Sequence, residues 1–360
     1  MRVLIAAGGT GGHIYPGIAV ASEIKRRDPS SDVRFVGTAR GLETQLVPKA
    51  GFQLALIESA GLVNMGVVAR ARGLSVLPKS FLAARRLLKQ FGPEVVVGAG
   101  GYVSGPVLLM ASIAGIPTLI MESNAIPGFT NRRLARWVDK AAASFDSALP
   151  YFRGKGVVIG NPVRREFFDV AAKPRNTSEF RVLVFGGSQG SRAINNAMVE
   201  SVAFLGEFRD SLRIIHQTGE SDFDTVSRGY TEAGWNGNVK VMKYIDDMVG
   251  EFARADLVVS RAGATTSAEL MAAGKAAIMV PLPGQMEQRR NAEEMQNTGA
   301  ARMILQTELS PERLARELSS VISSPETISQ MEKASRKGAH RDAAEKAVDL
   351  VEQLAAGLKR

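Results

Sequence analysis

Residues 2–13 read RVLIAAGGTGGH: a short run that is apolar after its arginine, then four glycines around a threonine, then a histidine. The run predicts a buried strand, the glycines a tight turn, and the apolar spacing from about Pro16 to Arg27 a helix with proline near its start. The same construction returns at residues 181–190, RVLVFGGSQG, followed by a helix from about Ser191. Between the two openings, short apolar runs at Val33–Gly37, Leu54–Ile57, Glu94–Gly98, Thr118–Met121, Ala141–Ser144 and Val157–Ile159 read as strands. After the second opening, Arg213–Gln217, Val239–Met242, Leu257–Ser260 and Ala276–Val280 do the same. Strands alternating with helical segments require crossover connections, hence an α/β fold with mostly parallel sheets and helices on both faces.

Two such openings predict two Rossmann-like domains, residues 1–163 and 164–340. The break falls at Gly160-Asn161-Pro162-Val163-Arg164, with a polar stretch at Lys173–Ser178 just beyond it. From Leu309 onward the chain reads as helical. Its last helix, about 341–360, has the spacing to pack back on the first domain.

Composition narrows the function. A chain of 360 residues favours two domains, and 45% hydrophobic with 22% charged residues excludes a largely disordered chain. Cysteine is absent, which excludes disulfides, thiolate zinc sites and a cysteine nucleophile. The N-terminal run turns to glycine too soon for a signal peptide. Val95–Met121 carries no charge, but its five glycines, Pro106 and Pro117 leave a helix too short to span a bilayer. It reads as strand, turn, helix, strand. Net charge is +9, and it is unevenly placed: residues 1–163 hold 19 basic and 9 acidic residues, the remainder 26 and 27. The first domain is therefore expected to face something anionic.

GGTGGH has the form of a phosphate cradle, in which glycines let backbone N–H groups approach an anion and a helix N-terminus adds positive charge. Tight packing of the turn is the alternative reading. A P-loop is excluded because no Gly-Lys-Ser/Thr follows. Ile14 stands where a dinucleotide fingerprint needs its third glycine. GGSQG holds the equivalent place in the second domain, so two sheets facing one another would bring both loops to an interdomain cleft. AGATTSAE (262–269) leads into a helix whose carboxylate suits two adjacent sugar hydroxyls, or else serves as a helix-terminal charge.

Of three histidines, His13 alone sits on a glycine loop and is the best general-base candidate. His216 reads as a core residue and His340 as a solvated one. Asp222-Phe223-Asp224 has a metal-holding form but reads better as a helix start. No cluster has metal-ligand spacing, and Gly-x-Ser-x-Gly is absent.

Six stretches together resemble the MurG family: GGTGGHIYPGIAVA (8–21), GGYVSGP (100–106), GNPVR (160–164), GGSQGSRAIN (186–195), YIDDM (244–248) and RAGATTSAEL (261–270). The resemblance implies a GT-B fold and inverting transfer of N-acetylglucosamine from UDP-GlcNAc to the 4-hydroxyl of the muramoyl sugar of lipid I. The acceptor is the undecaprenyl-diphosphate-linked precursor, and the product, lipid II, serves cell-wall biogenesis, cell shape and division. It also implies a peripheral enzyme on the cytoplasmic side of the inner membrane, with no metal cofactor and no nucleic-acid partner.

Carried over by position, His13 matches the proposed base, and Thr10, Gly11 and Gly12 match the first loop. Asn124 matches a sugar-binding asparagine, Arg164 a phosphate-side arginine, Ser188 the diphosphate contact and Ile245 the uracil contact. Ala264, Thr265, Thr266 and Glu269 match the donor-binding helix start, with Glu269 on the ribose, and Gln288 matches a residue that reads the sugar. Two departures stand out. Met121-Glu122-Ser123-Asn124 replaces a His followed by Glu-Gln-Asn, and Gly284–Glu287 lacks the usual Asp-His pair. Desolvated Glu122 is the next candidate base if His13 does not serve.

Other readings are a GT-B transferase acting on a different glycolipid, a UDP-sugar epimerase, or a non-catalytic nucleotide-binding scaffold at the membrane. For the membrane itself, Gly73–Phe91 predicts a helix with Pro78 in its first turn. Leu74, Leu77, Phe81, Leu88 and Phe91 would form an apolar stripe among Arg70, Arg72, Lys79, Arg85, Arg86 and Lys89. That stripe would meet an anionic membrane surface, unless it packs on the sheet.

Overall fold

The computed structural model describes residues 1–59, 67–171 and 179–357, with backbone alone for 67–76. The chain divides into two compact units: Met1–Arg164 with His340–Arg360, and Arg165–Ala339.

The first unit runs β1 (Arg2–Ala7), α1 (Gly11–Arg27), β2 (Asp32–Gly37), α2 (Glu43–Lys49), β3 (Gln53–Leu56), α3 (Val67–Phe91), β4 (Val95–Gly100), α4 (Ser104–Ile113), β5 (Thr118–Glu122), α5 (Phe129–Leu134), β6 (Lys140–Ala143) and β7 (Gly156–Val158). Its seven strands lie in the order β3-β2-β1-β4-β5-β6-β7, all parallel. The alternating sides of β1 explain why its apolar run is unbroken. Val3, Ile5 and Ala7 pack with Ile14, Val20 and Ile24 of α1, whereas Leu4 and Ala6 pack with Leu88 of α3 and Val107 and Leu108 of α4.

The second unit runs β8 (Phe180–Phe185), α6 (Arg192–Ser201), β9 (Leu212–Gln217), α7 (Phe223–Glu232), β10 (Val239–Met242), α8 (Met248–Arg254), β11 (Leu257–Ser260), α9 (Ala264–Ala273), β12 (Ala276–Met279), α10 (Met286–Asn297), β13 (Ala301–Met303), α11 (Pro311–Ile322) and α12 (Pro325–Lys337). Its six parallel strands are ordered β10-β9-β8-β11-β12-β13. The final helix, α13 (Ala343–Gly357), returns to the first unit and packs on α1, burying Ala347, Val348 and Val351. Arg27 of α1 ties the two helices, reaching Asp349 at 2.7 Å, Glu352 at 3.0 Å and the Glu345 carbonyl at 3.0 Å.

Two expectations are corrected. Helix α1 begins at Gly11, not near Pro16, because extended Thr10 is the N-cap and its carbonyl takes the N–H groups of His13 and Ile14. Pro16 lies inside the helix, at its sixth position, where it supplies no backbone N–H to the i→i−4 ladder. Likewise α3 starts at Val67, so Pro78 is interior rather than in the first turn. The apolar stripe of α3 turns inward: Leu88 and Phe91 are buried in the core, with the Arg34 guanidinium 4.6 Å above the Phe91 ring. Leu77 and Phe81 are half-buried. The side chains of Arg70, Arg72 and Leu74, and the Lys173–Ser178 stretch, lie outside the described residues.

Candidate active site

The first glycine loop is shaped by what lies under it. Gly9 adopts φ +91°, open to L side chains only with strain, and nothing stands within 4 Å of where its Cβ would be. Beneath it sits Glu43, fully buried. Its carboxylate accepts the Gly9 N–H at 2.9 Å and the Thr38 N–H and hydroxyl, both at 2.8 Å. Added carbons at Gly8, Gly37 or Gly41 would all collide with this side chain. Glycines in and around the loop therefore serve packing as well as openness, and Glu43 went unmarked in the sequence reading.

Thr10 is exposed and makes no capping bond with its side chain, and the first turn of α1 carries no acid. His13 follows in that turn. Its imidazole donates to the Ala99 carbonyl and lies with Nδ1 against Gly100, where φ is +119°. With one ring nitrogen donating, the other is the proton acceptor that a general base needs. Burial holds the imidazole below the ordinary value of 6.5, against the raising effect of the Ala99 bond. The buried Ser104 hydroxyl accepts the Gly100 N–H at 3.1 Å and lies 2.9 Å from the Ala6 carbonyl, fixing the GGYVSGP turn to β1. Gly101 touches the Gly8 backbone so closely that no Cβ fits.

Glu122 ends β5 in the same unit. Its two oxygens accept four hydrogen bonds: from the Asn124 N–H (2.9 Å) and amide (3.1 Å), the Gly128 N–H (3.1 Å) and the Asn131 amide (2.9 Å). Burial raises its pKa, and those four bonds pull the other way. Through these four bonds Glu122 anchors the loop that presents Asn124. The Arg164 guanidinium lies over the ring of Tyr15 in α1, 4.7 Å from its centroid.

In the second unit, Gly187 repeats the geometry of Gly9: φ +94°, with open space where a Cβ would stand. Gly190 and Gly219 approach the neighbouring backbone too closely for any side chain. Half-buried Ser188 lies on this loop, and Ile245 is buried after β10. Helix α9 opens at Ala264 from an extended Gly263, with no acid in its first turn. Asn291 holds that opening, donating to the Ala262 carbonyl at 3.1 Å. Thr265 and Glu269 are buried on α9, and Thr266 is half-buried. Gln288 sits in the first turn of α10, its carbonyl accepting the Leu282 N–H at 3.0 Å and its amide facing Gln285 at 3.3 Å.

The remaining candidates resolve simply. His216 is fully buried between the Tyr230 hydroxyl (2.9 Å) and the Asn195 amide oxygen (3.1 Å), and burial lowers its pKa to about 3. His340 is exposed. Asp222 stands at the N-cap of α7, but its carboxylate takes the Asn195 amide (3.0 Å) and the Arg192 guanidinium (3.4 Å) instead of a helix amide. Among the described residues no three His, Asp or Glu side chains converge as a metal site.

Each unit thus carries, on a parallel α/β sheet, the strand–glycine loop–helix arrangement of nucleotide-binding folds. Comparison with known proteins agrees. The glycosyltransferase family 28 N-terminal domain matches residues 3–143, and the C-terminal domain of that family matches residues 181–353. A UDP-N-acetylglucosamine–N-acetylmuramyl-(pentapeptide) pyrophosphoryl-undecaprenol N-acetylglucosamine transferase of Myxococcus xanthus is 45% identical over 98% of this chain and 94% of its own. The enzyme of the same name from Geobacter sulfurreducens is 43% identical over 97% of both. The crystal structure of Acinetobacter baumannii MurG superposes with a TM-score of 0.75 at 29% identity, covering 98% of this chain and 99% of that one. A UDP-GlcNAc 2-epimerase from Neisseria meningitidis, at 14% identity and a TM-score of 0.71, shares the fold alone. The chain belongs to the MurG family of glycosyltransferase family 28, and is an N-acetylglucosaminyltransferase of GT-B fold.

Proposed function

We propose that this enzyme transfers N-acetylglucosamine from UDP-GlcNAc to the 4-hydroxyl of the muramoyl sugar of lipid I, forming lipid II with inversion at the anomeric carbon. The observation that carries the mechanism is the setting of His13 beside the first glycine loop: the ring donates one N–H to the Ala99 carbonyl, burial disfavours its charged form, and the other ring nitrogen is left to take a proton. As the acceptor hydroxyl attacks, His13 removes its proton. The donor is assigned to the second unit, with Ile245 at the uracil, Glu269 at the ribose, Ser188 at the diphosphate and Gln288 at the sugar. Charge developing on the departing UDP is met by amides of Gly186–Gly190, the start of α9 around Ala264, Thr265 and Thr266, and Arg164. Thr10, Gly11, Gly12 and Asn124 are assigned to substrate in the first unit. Backbone amides and arginine here do the work that a metal does in other transferases.

No helix among the described residues is long and apolar enough to cross a membrane. Peripheral binding to an anionic surface, on the cytoplasmic side where UDP-GlcNAc is found, fits two features. Lys79, Arg85, Arg86 and Lys89 are exposed on α3, and Leu82 of α3, Ile113 of α4 and Phe129 of α5 present large apolar side chains to solvent, with α4 packed against both α3 and α5.

Incubating purified enzyme with UDP-GlcNAc and lipid I tests the proposal by mass spectrometry of the lipid product. A lipid-linked disaccharide, formed equally in EDTA, supports it. Free sugar released without acceptor would instead indicate epimerase chemistry.

A further inference from the structure

Gln217 is the last residue of β9, and it is 1% exposed. Strand β9 lies between β8 and β10, so its carboxyl end is flanked by the loops that leave both neighbours. The Gln217 side chain joins them. Its Nε2 donates to the Gly187 carbonyl at 2.9 Å, and its Oε1 accepts the Ile245 N–H at 2.7 Å. Only one orientation of the amide satisfies both partners, so the bridge has a fixed sense.

A trans peptide points its C=O and N–H in opposite directions. With the Gly187 carbonyl held toward Gln217, the Ser188 N–H of the same peptide plane turns away from the protein body. With the Ile245 N–H held likewise, the Tyr244 carbonyl turns outward. Packing does not impose this at Gly187, where a Cβ would touch nothing. The hydrogen bonds do: Gln217, together with the Gly190 N–H at 3.0 Å on the same carbonyl.

We propose that Gln217 is a positioning residue that locks the glycine loop to the Ile245 loop, so that the diphosphate and base ends of the donor meet groups held at a fixed spacing and orientation. This rests on the donor assignments above. Gln217 acts through the two loops without touching the donor.

The test compares uridine, which presents the base and ribose, with UDP, which adds the diphosphate, by calorimetry at pH 8. Gln217→Met keeps the side-chain length and loses both bonds. Gln217→Glu keeps an acceptor for Ile245 and loses the donor to Gly187. One lost neutral bond weakens binding by about 3- to 10-fold. Gln217→Met is expected to weaken both ligands, UDP more strongly. Gln217→Glu is expected to leave uridine within about 2-fold of the parent while UDP weakens about 10-fold. A purely structural role would lower the melting temperature and leave the UDP-to-uridine affinity ratio at the parent value in both variants; that result overturns the inference. Should Gln217→Met fail to fold, the isosteric Gln217→Glu decides by the same ratio. If the parent itself bound neither ligand, the donor assignment would fall first, and the inference with it.

Discussion

The Nδ1 side of the His13 imidazole occupies the space that a Cβ at Gly100 would fill. The base candidate and the glycine of a second motif, 87 positions apart in sequence, are thus one steric unit. Gly100 also takes φ +119°, so alanine there is strained in its own backbone and collides with the ring. Gly100→Ala is expected to lower turnover by ~10²-fold through misplacement of His13 while UDP affinity holds. Equal losses in turnover and UDP affinity would count against this coupling.

His13→Ala should lower turnover by ~10²–10⁴ with little change in donor binding. Its pH signature follows from burial. Because the folded imidazole is held below 6.5, the base form persists to lower pH than for a free histidine. The acid limb of kcat/KM should fall below pH 6.5 in the parent and vanish from the residual rate of His13→Ala. An acid limb unchanged in the variant would assign it to another group.

Glu43 predicts a stability and activity effect together. Its carboxylate satisfies three donors beneath the first glycine loop. Glu43→Ala removes the partner of these part-buried donors and leaves a cavity where a fully buried side chain stood, at a cost of ~1–3 kcal/mol for each donor that water does not reach. Denaturant unfolding of the variant should show a marked loss, and its turnover should drop more than its UDP affinity. An unaltered midpoint would mean that the loop holds itself.

On the donor side, Glu269→Ala should weaken UDP binding by ~1.5–3 kcal/mol, the range for hydrogen bonds to a charged group. Titration calorimetry with UDP decides it: unchanged affinity would leave Glu269 as a buried structural carboxylate of α9.

Parallel sheets announce themselves in sequence because their strands are apolar on both faces, and glycine turns mark the strand ends. Hence β1 and β8 with their loops were readable directly. Glu43 and Gln217 were not. Each acts through hydrogen bonds to residues about 30 positions away, Gly9 and Gly187, and no local pattern encodes those pairings. The placement of Gln217 at a strand's carboxyl end, where ligands gather in such sheets, was the one available signal. Pro16 and Pro78 misled for the opposite reason: read locally, proline marks a helix start, yet packing of α1 and α3 carries both helices through it. The α3 stripe was legible as amphipathic, but its periodicity does not say whether sheet or lipid covers the apolar side.

That division of α3 sets up the last prediction. Leu88 and Phe91 belong to the core, so the side of the helix proposed to meet the membrane is the other one, where Lys79, Leu82, Arg85, Arg86 and Lys89 are exposed. Replacing Arg85, Arg86 and Lys89 with Gln removes three charges without disturbing the buried residues. At ~1 kcal/mol per basic residue near an anionic leaflet, the triple variant should lose ~3 kcal/mol, or ~10²-fold in partitioning, at low salt. Ile113 offers the complementary arm, since it is 63% exposed on the neighbouring α4. Ile113→Ser should weaken binding by an amount that salt does not change, because burial of apolar surface is not screened. Sedimentation with vesicles containing anionic lipid, repeated across a salt series, separates the two contributions. Co-sedimentation of the triple variant equal to the parent at every salt concentration would return this basic face to ordinary solvated surface.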